Sequence, residues 1–138
     1  MKIGVGKRKG MIIMSWNKGS GFLKNRLDQV NTILEKHKPH ILGLSVLQVT
    51  SNDLPDIIFD NYKLECDNLI ITNKTARAGI LVHKDLKYSR LNDMEPPNTA
   101  TVAIEVGLYK QKKLLVSSGT DNGSYFTIKI KILTLLKK

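Results

Sequence analysis

Cysteine is almost absent from this chain: Cys66 is the only one in 138 residues. An intrachain disulfide is therefore excluded, and so is a zinc cluster built from thiolates. That usage fits a reducing, intracellular setting, nucleus or cytoplasm. Long apolar runs are missing as well. The stretch "MIIM" at 11–14 follows the basic "KRK" at 7–9, but it is far too short for a signal-peptide core, and nothing elsewhere approaches a membrane span. Aromatic residues make up only 6% of the chain, which leaves few rings on which bases could stack. Acidic residues number 12 against 22 basic ones, a formal charge of +10. That excess favours a polyanionic partner, DNA or RNA, and its plain alternative is charge that serves only solubility.

What is present organises itself as one domain, long enough for a real core and of globular composition. Residues 1–9 carry two glycines and no periodicity, the pattern of a flexible basic arm. Met11 to Trp16 reads as a buried strand and "NKGSG" as a loop. Leu23, Leu27, Val30 and Leu34 then recur at helical spacing, so a helix is expected over 23–38, with Lys36, His37 and Lys38 at its carbonyl end and Pro39 as its stop. "HILGLSVL" at 40–47 is a second near-continuous apolar run, as in a strand covered on both faces. Strand, helix and strand make a βαβ unit with a parallel pair. Further on, "YKLEC" at 62–66 and "GILVH" at 79–83 read as short strands, with "LKYSRL" expected to pair with the latter. "ATVAIEVGL" and "KKLLVSS" form a hairpin through "YKQ". Asp121, Asn122 and Gly123 signal another turn, into a segment where Phe126, Ile128, Ile130 and Ile132 alternate with Thr127, Lys129 and Lys131. The expected class is α/β, parallel at the start and mostly antiparallel β afterwards.

The strand ending in "SWN", the amphipathic helix and then "KPHILGLS" resemble the opening of the endonuclease/exonuclease/phosphatase superfamily. Its members commonly open with a Trp-Asn or similar pair, then a helix, then a Pro-Asp-Ile-x-x-Leu-x-Glu strand. "LDQVNTILEKHKPHILGLS" and "AGILVHKDLKYSRLNDMEPPNTATVAIEVGLYKQKKLLVSS" are similar to the apurinic-type endonuclease domains of non-LTR retrotransposons, so that the resemblance runs from 11 to 120. It implies a two-sheet α/β sandwich with a phosphodiesterase site at the strand ends, using Mg²⁺ or Mn²⁺. On this reading residues 10–120 are a partial, truncated domain of that kind, and 121–138 are a divergent β tail forming an amphipathic C-terminal β-hairpin. The resemblance makes Asn17 an active-site amide near the metal and the scissile phosphate. A neutral amide suits that place, since it can donate to a phosphate oxygen and accept from a metal-bound water. Its plain reading is a turn residue ahead of Gly19.

The departures weigh against turnover. Where the family carries its metal-binding glutamate, this chain has Val46, which offers no oxygen to a hard cation. Gln48, two residues on and expected on the same side, is neutral, and Asp53 lies in the following loop. His40 replaces the aspartate of Pro-Asp-Ile; with His37 and His83 it reads as an ordinary histidine lacking a ligand set. The third departure is at residue 120: after "KKLLVSS", relatives continue into a second half holding an Asp-x-Asn phosphate site and a terminal Asp-His pair, whereas here "GTDNGSYFTIKIKILTLLKK" follows. No metal ligand is secure. The expectation is an inactive relative of a metal-dependent endonuclease that retains nonspecific nucleic-acid binding through Lys18, Lys24, Lys110, Lys112, Lys113, Lys129 and Lys131. The alternative is an active Mg²⁺-dependent endonuclease with Gln48 or Asp53 as substitute ligand, and a fragment without selected function is the blandest option.

Overall fold

In the computed structural model, which describes residues 2–5, 11–17, 22–69, 75–91, 100–107, 112–121 and 125–134, the first apolar run forms strand β2, Met11–Asn17. Within the stretch expected to be a flexible arm, Lys2–Val5 form β1, antiparallel to β2 with Val5 opposite Met11. Residues 6–9 of that arm lie outside the described residues.

The expected helix divides in two. Leu23–Asn25 form a 3₁₀ turn, Arg26 leaves helical space at φ −124°, and Leu27–His37 form the helix proper, α1. The break leaves the apolar stripe intact, because a 3₁₀ turn can set one side chain on the sheet while the chain changes direction. Leu23, Val30 and Leu34 are all buried in the same cluster. Lys36 and His37 sit in the last turn, where positive charge meets unpaired carbonyls. Lys38 exits at φ 46° and Pro39 has no N–H with which to continue.

Strand β3, Ile41–Val49, runs parallel to β2 with Ile13 opposite Ile41. The parallel pair expected from the sequence is therefore present. Strands β4 (Tyr62–Cys66) and β5 (Ala76–His83) complete a five-stranded sheet in the order β1-β2-β3-β5-β4. Gly79 on β5 is a close approach: a Cβ there would stand 2.5 Å from Leu47 Cδ1 and 3.2 Å from Leu64 Cδ1.

One expected pairing fails. Tyr88–Arg90 (β6) does not pair with β5; it pairs with Thr101–Gly107 (β7) and starts a second sheet. The reason is edge availability, since β5 is already flanked by β3 and β4. A turn closed by Leu86 N–H donating to His83 O at 3.0 Å carries the chain across to the other layer. Strands β8 (Lys112–Asp121) and β9 (Tyr125–Thr134) finish that sheet in the order β6-β7-β8-β9. The β7–β8 hairpin is as expected, and β9 pairs along the whole of β8.

Two apolar layers hold these elements. Ile13, Ile41, Ile80 and Val82 on one face of the first sheet meet Val102, Ile104, Val106 and Val116 of the second. The opposite face presents Leu42, Leu44 and Leu81 to the helix side chains Val30 and Leu34. The apolar run of β3 is nearly continuous because both its faces are covered. The result is a mixed α/β architecture, mostly strands, in the order helix, sheet, sheet. At one margin Glu65 of β4 clasps β6: its carboxylate accepts from Tyr88 Oη at 2.5 Å and from Arg90 Nη1 at 3.1 Å. Among the described residues no helix is long and apolar enough to cross a membrane.

Candidate functional site

Because β2 and β3 are parallel, their C-terminal ends open at one edge of the sheet, the place where open α/β sheets commonly receive ligands. Asn17 is the last residue of β2 and lies opposite Ser45, which in turn lies opposite Ala78 of β5. The three positions form a row across three strands on the face turned toward the second sheet, where Ala78 packs. Ser45 is only 3% exposed, and its Oγ has no hydrogen-bond partner among the described residues.

Beyond Ser45 the ladder slips. The register passes from Ser45 opposite Ala78 to Val49 opposite Ala76, and between them Gln48 adopts φ 51°. Such a bulge bends the strand and re-aims the residues within it. The slip breaks the two-residue alternation that would set Gln48 on the same side as position 46 as a replacement ligand.

The loops beyond the two strand ends meet through an ion pair. Lys24 Nζ lies 3.6 Å from Asp53 Oδ1 and 5.4 Å from the centre of the Phe22 ring. Asp53, the other substitute ligand, thus faces a lysine. The Asp53 N–H donates back to Thr50 O at 3.1 Å, which fixes the loop.

Two carboxylates that the sequence reading passed over prove to be structural. Asp67, fully buried, follows β4 directly. Its Oδ1 accepts from Leu69 N at 3.0 Å, and its Oδ2 accepts from Arg77 N and Ala78 N, both at 2.8 Å. Burial pushes its carboxyl above the ordinary value, opposed by those backbone donors and by Arg90. A signal was available, since an Asp that bonds the N–H two residues on is a common loop-starting turn. Glu65 is the second, held in the clasp with Tyr88 and Arg90. Between them sits Cys66, whose thiol is pushed up to about 12, chiefly by burial.

This donor set does not fit a Mg²⁺ or Mn²⁺ ion. Such cations take oxygen ligands, above all carboxylates with free lone pairs. Asp53 is turned to Lys24 and Asp67 is saturated by three N–H groups, while a valine stands at 46. Among the described residues no three His, Cys, Asp or Glu side chains converge as a metal site.

The histidines lie at the opposite end of the sheet. His40 Nδ1 accepts from Ile12 N at 3.0 Å and His83 Nδ1 accepts from Asp85 N at 3.1 Å. With Nδ1 so used, that nitrogen has no lone pair left for a metal. His83 also packs edge-on against Tyr62, 5.1 Å between centroids. Both line an open groove of about 860 Å³ together with Asp28, Glu35, Asp60 and Asp85.

No protein-family model, no curated protein and no solved structure matches this chain.

The candidate phosphate-binding lysines are not brought to one place. Lys24 stands at the Asn17 edge, half exposed. Strand β6 starts beside His83, β7 returns, and β8 starts again from that far end, which puts Lys112 and Lys113 away from Asn17. On β9, Lys129 lies opposite Ser117 and Lys131 opposite Leu115. Lys18 and Lys110 lie outside the described residues.

Proposed function

We propose that this chain is a non-hydrolysing relative of the metal-dependent phosphodiesterases of the endonuclease/exonuclease/phosphatase class, allied to retroelement endonuclease domains, and that it holds nucleic acid through phosphate contacts without sequence preference. The observation that carries the reading is the β2–α1–β3 unit facing a second sheet, with Asn17 at the shared C-terminal edge. That is the arrangement the "SWN" to "KPHILGLS" series leads one to expect of a partial α/β sandwich. The absence of turnover is argued from the donors: phosphodiester hydrolysis needs a cationic clamp, an activated water and leaving-group stabilisation, and one amide supplies none of them alone.

Two measurements test it. In a plasmid-nicking assay with Mg²⁺ or Mn²⁺, the native chain is expected to leave supercoiled DNA intact. Metal-dependent nicking that disappears in Asn17→Ala would overturn the inactive reading. In a binding titration, affinity for single-stranded DNA is expected to fall roughly fiftyfold over a fourfold rise in salt, if about four phosphates are neutralised. Absence of any complex at low ionic strength would reduce the +10 charge to a solubility feature.

A further inference from the structure

Two independent costs fall within four residues of β3, beside Asn17. The first is the Ser45 hydroxyl, buried to 3% exposure with no partner among the described residues. A buried donor left unmet disfavours the fold, and alanine would fill the place without that cost. The second is Gln48 at φ 51° inside the bulge, a conformation suited to glycine and unfavourable for a side chain with a Cβ. A bulge alone accounts for neither, because Ala at 45 and Gly at 48 would bend the strand with less strain. Polar groups held at such a cost are found where a ligand uses them.

The surrounding chemistry says which ligand. The groups left to act at this edge are a neutral hydroxyl, a neutral amide and the cationic side chain of exposed Arg77, with Lys24 paired to Asp53 beside them. The nearby carboxylates are engaged, Asp53 by Lys24 and Asp67 by three backbone N–H groups. Donors and cations suit the oxygens of a phosphate and repel a metal ion. We infer that the Ser45–Gln48 bulge is a phosphate-holding element that works without metal. The half-buried Gln48 amide donates to a phosphate oxygen of a nucleic-acid strand, and the unmet Ser45 hydroxyl, three residues earlier in the same strand, joins that contact through a water that enters with the ligand. This rests on the nucleic-acid reading above and adds where, and by which groups, the phosphate is held.

The inference makes stability and binding move in opposite directions. Ser45→Ala and Gln48→Gly are each expected to raise Tm by about 3 °C, since each removes a local cost. Each is also expected to weaken binding of a short fluorescein-labelled oligothymidylate, in EDTA at low salt, by about fivefold. Lys131→Ala serves as a comparison: it is expected to change the salt dependence while leaving Tm unmoved. If the native chain binds no oligothymidylate, the nucleic-acid reading itself fails. If the native chain binds and both bulge variants bind equally well, the bulge assignment alone is overturned. A Ser45→Ala variant no more stable than the native chain would show the hydroxyl to be satisfied within the fold, and would overturn it too.

Discussion

Replacement of Asp67 by alanine is expected to destabilise the protein by about 3–5 kcal/mol, among the largest effects of any single polar change in it. The side chain is fully buried and is the acceptor for Leu69, Arg77 and Ala78 N–H at once. Alanine would remove the acceptor that three backbone donors share at the point where β5 begins beside Ser45. Asparagine is a milder change, because one of its two terminal atoms still accepts. Urea denaturation gives the free energy, and Cys66 gives a local readout. In the native chain burial pushes that thiol up to about 12, so at neutral pH it is protonated and slow to react with a thiol reagent. In Asp67→Ala, labelling should accelerate well before global unfolding. Unchanged labelling and unchanged urea midpoint would mean that water replaces the carboxylate without cost.

Asp67 also contributes a pH dependence whose sign follows from burial. Its folded pKa lies above the unfolded value of about 4, so between the two the folded state holds more protons than the unfolded one. The contribution of this group to stability therefore falls as pH rises through that window and is level above it. The alanine variant should lack that falling limb.

The second large effect is expected at the clasp between the sheets. Glu65→Ala should lower stability by about 2–3 kcal/mol, because it leaves the Arg90 guanidinium and the Tyr88 hydroxyl facing a poorly solvated margin. The Glu65 and Arg90 side chains are only 17% and 21% exposed, so the pair is not a solvent-screened surface bridge. Part of Arg90 stays anchored, since its Nη2 donates to Cys66 O at 2.6 Å, and the loss is therefore smaller than for a wholly buried pair. Burial and the Glu65 carboxylate both push the Tyr88 hydroxyl well above its ordinary value. In alkali the unfolded chain loses that proton first, so stability falls as pH rises past about 10. Tyr88→Phe should flatten this alkaline limb only in part, because Cys66 and Tyr62 are shifted the same way. A Tyr88→Phe profile that superimposes on the native one would remove the clasp from the account.

The legible part of the fold is the part that periodicity controls. Four apolar residues of α1 and its leading turn and the two-sided apolar run of β3 declare which face is covered, because side-chain direction repeats every 3.6 residues in a helix and every two in a strand. From those runs the parallel β2–β3 pair, the intervening helix, the β7–β8 hairpin and the placing of Asn17 at a strand end all follow. Tertiary structure alone decided the rest. The partner of β6 depends on which sheet edges are still free, a property of the assembled sheets and not of "LKYSRL". The slip at Ser45–Val49 arises in the pairing with β5, so counting along β3 misplaces Gln48. Asp67 and Glu65 look like ordinary surface carboxylates until the loop and the second sheet close over them. The lysines read together as one charged set are parted by strand direction, because an antiparallel sheet sends Lys112 and Lys113 to the end opposite Lys24. Charge and periodicity are written residue by residue, whereas edges, register slips and burial exist only once distant segments meet.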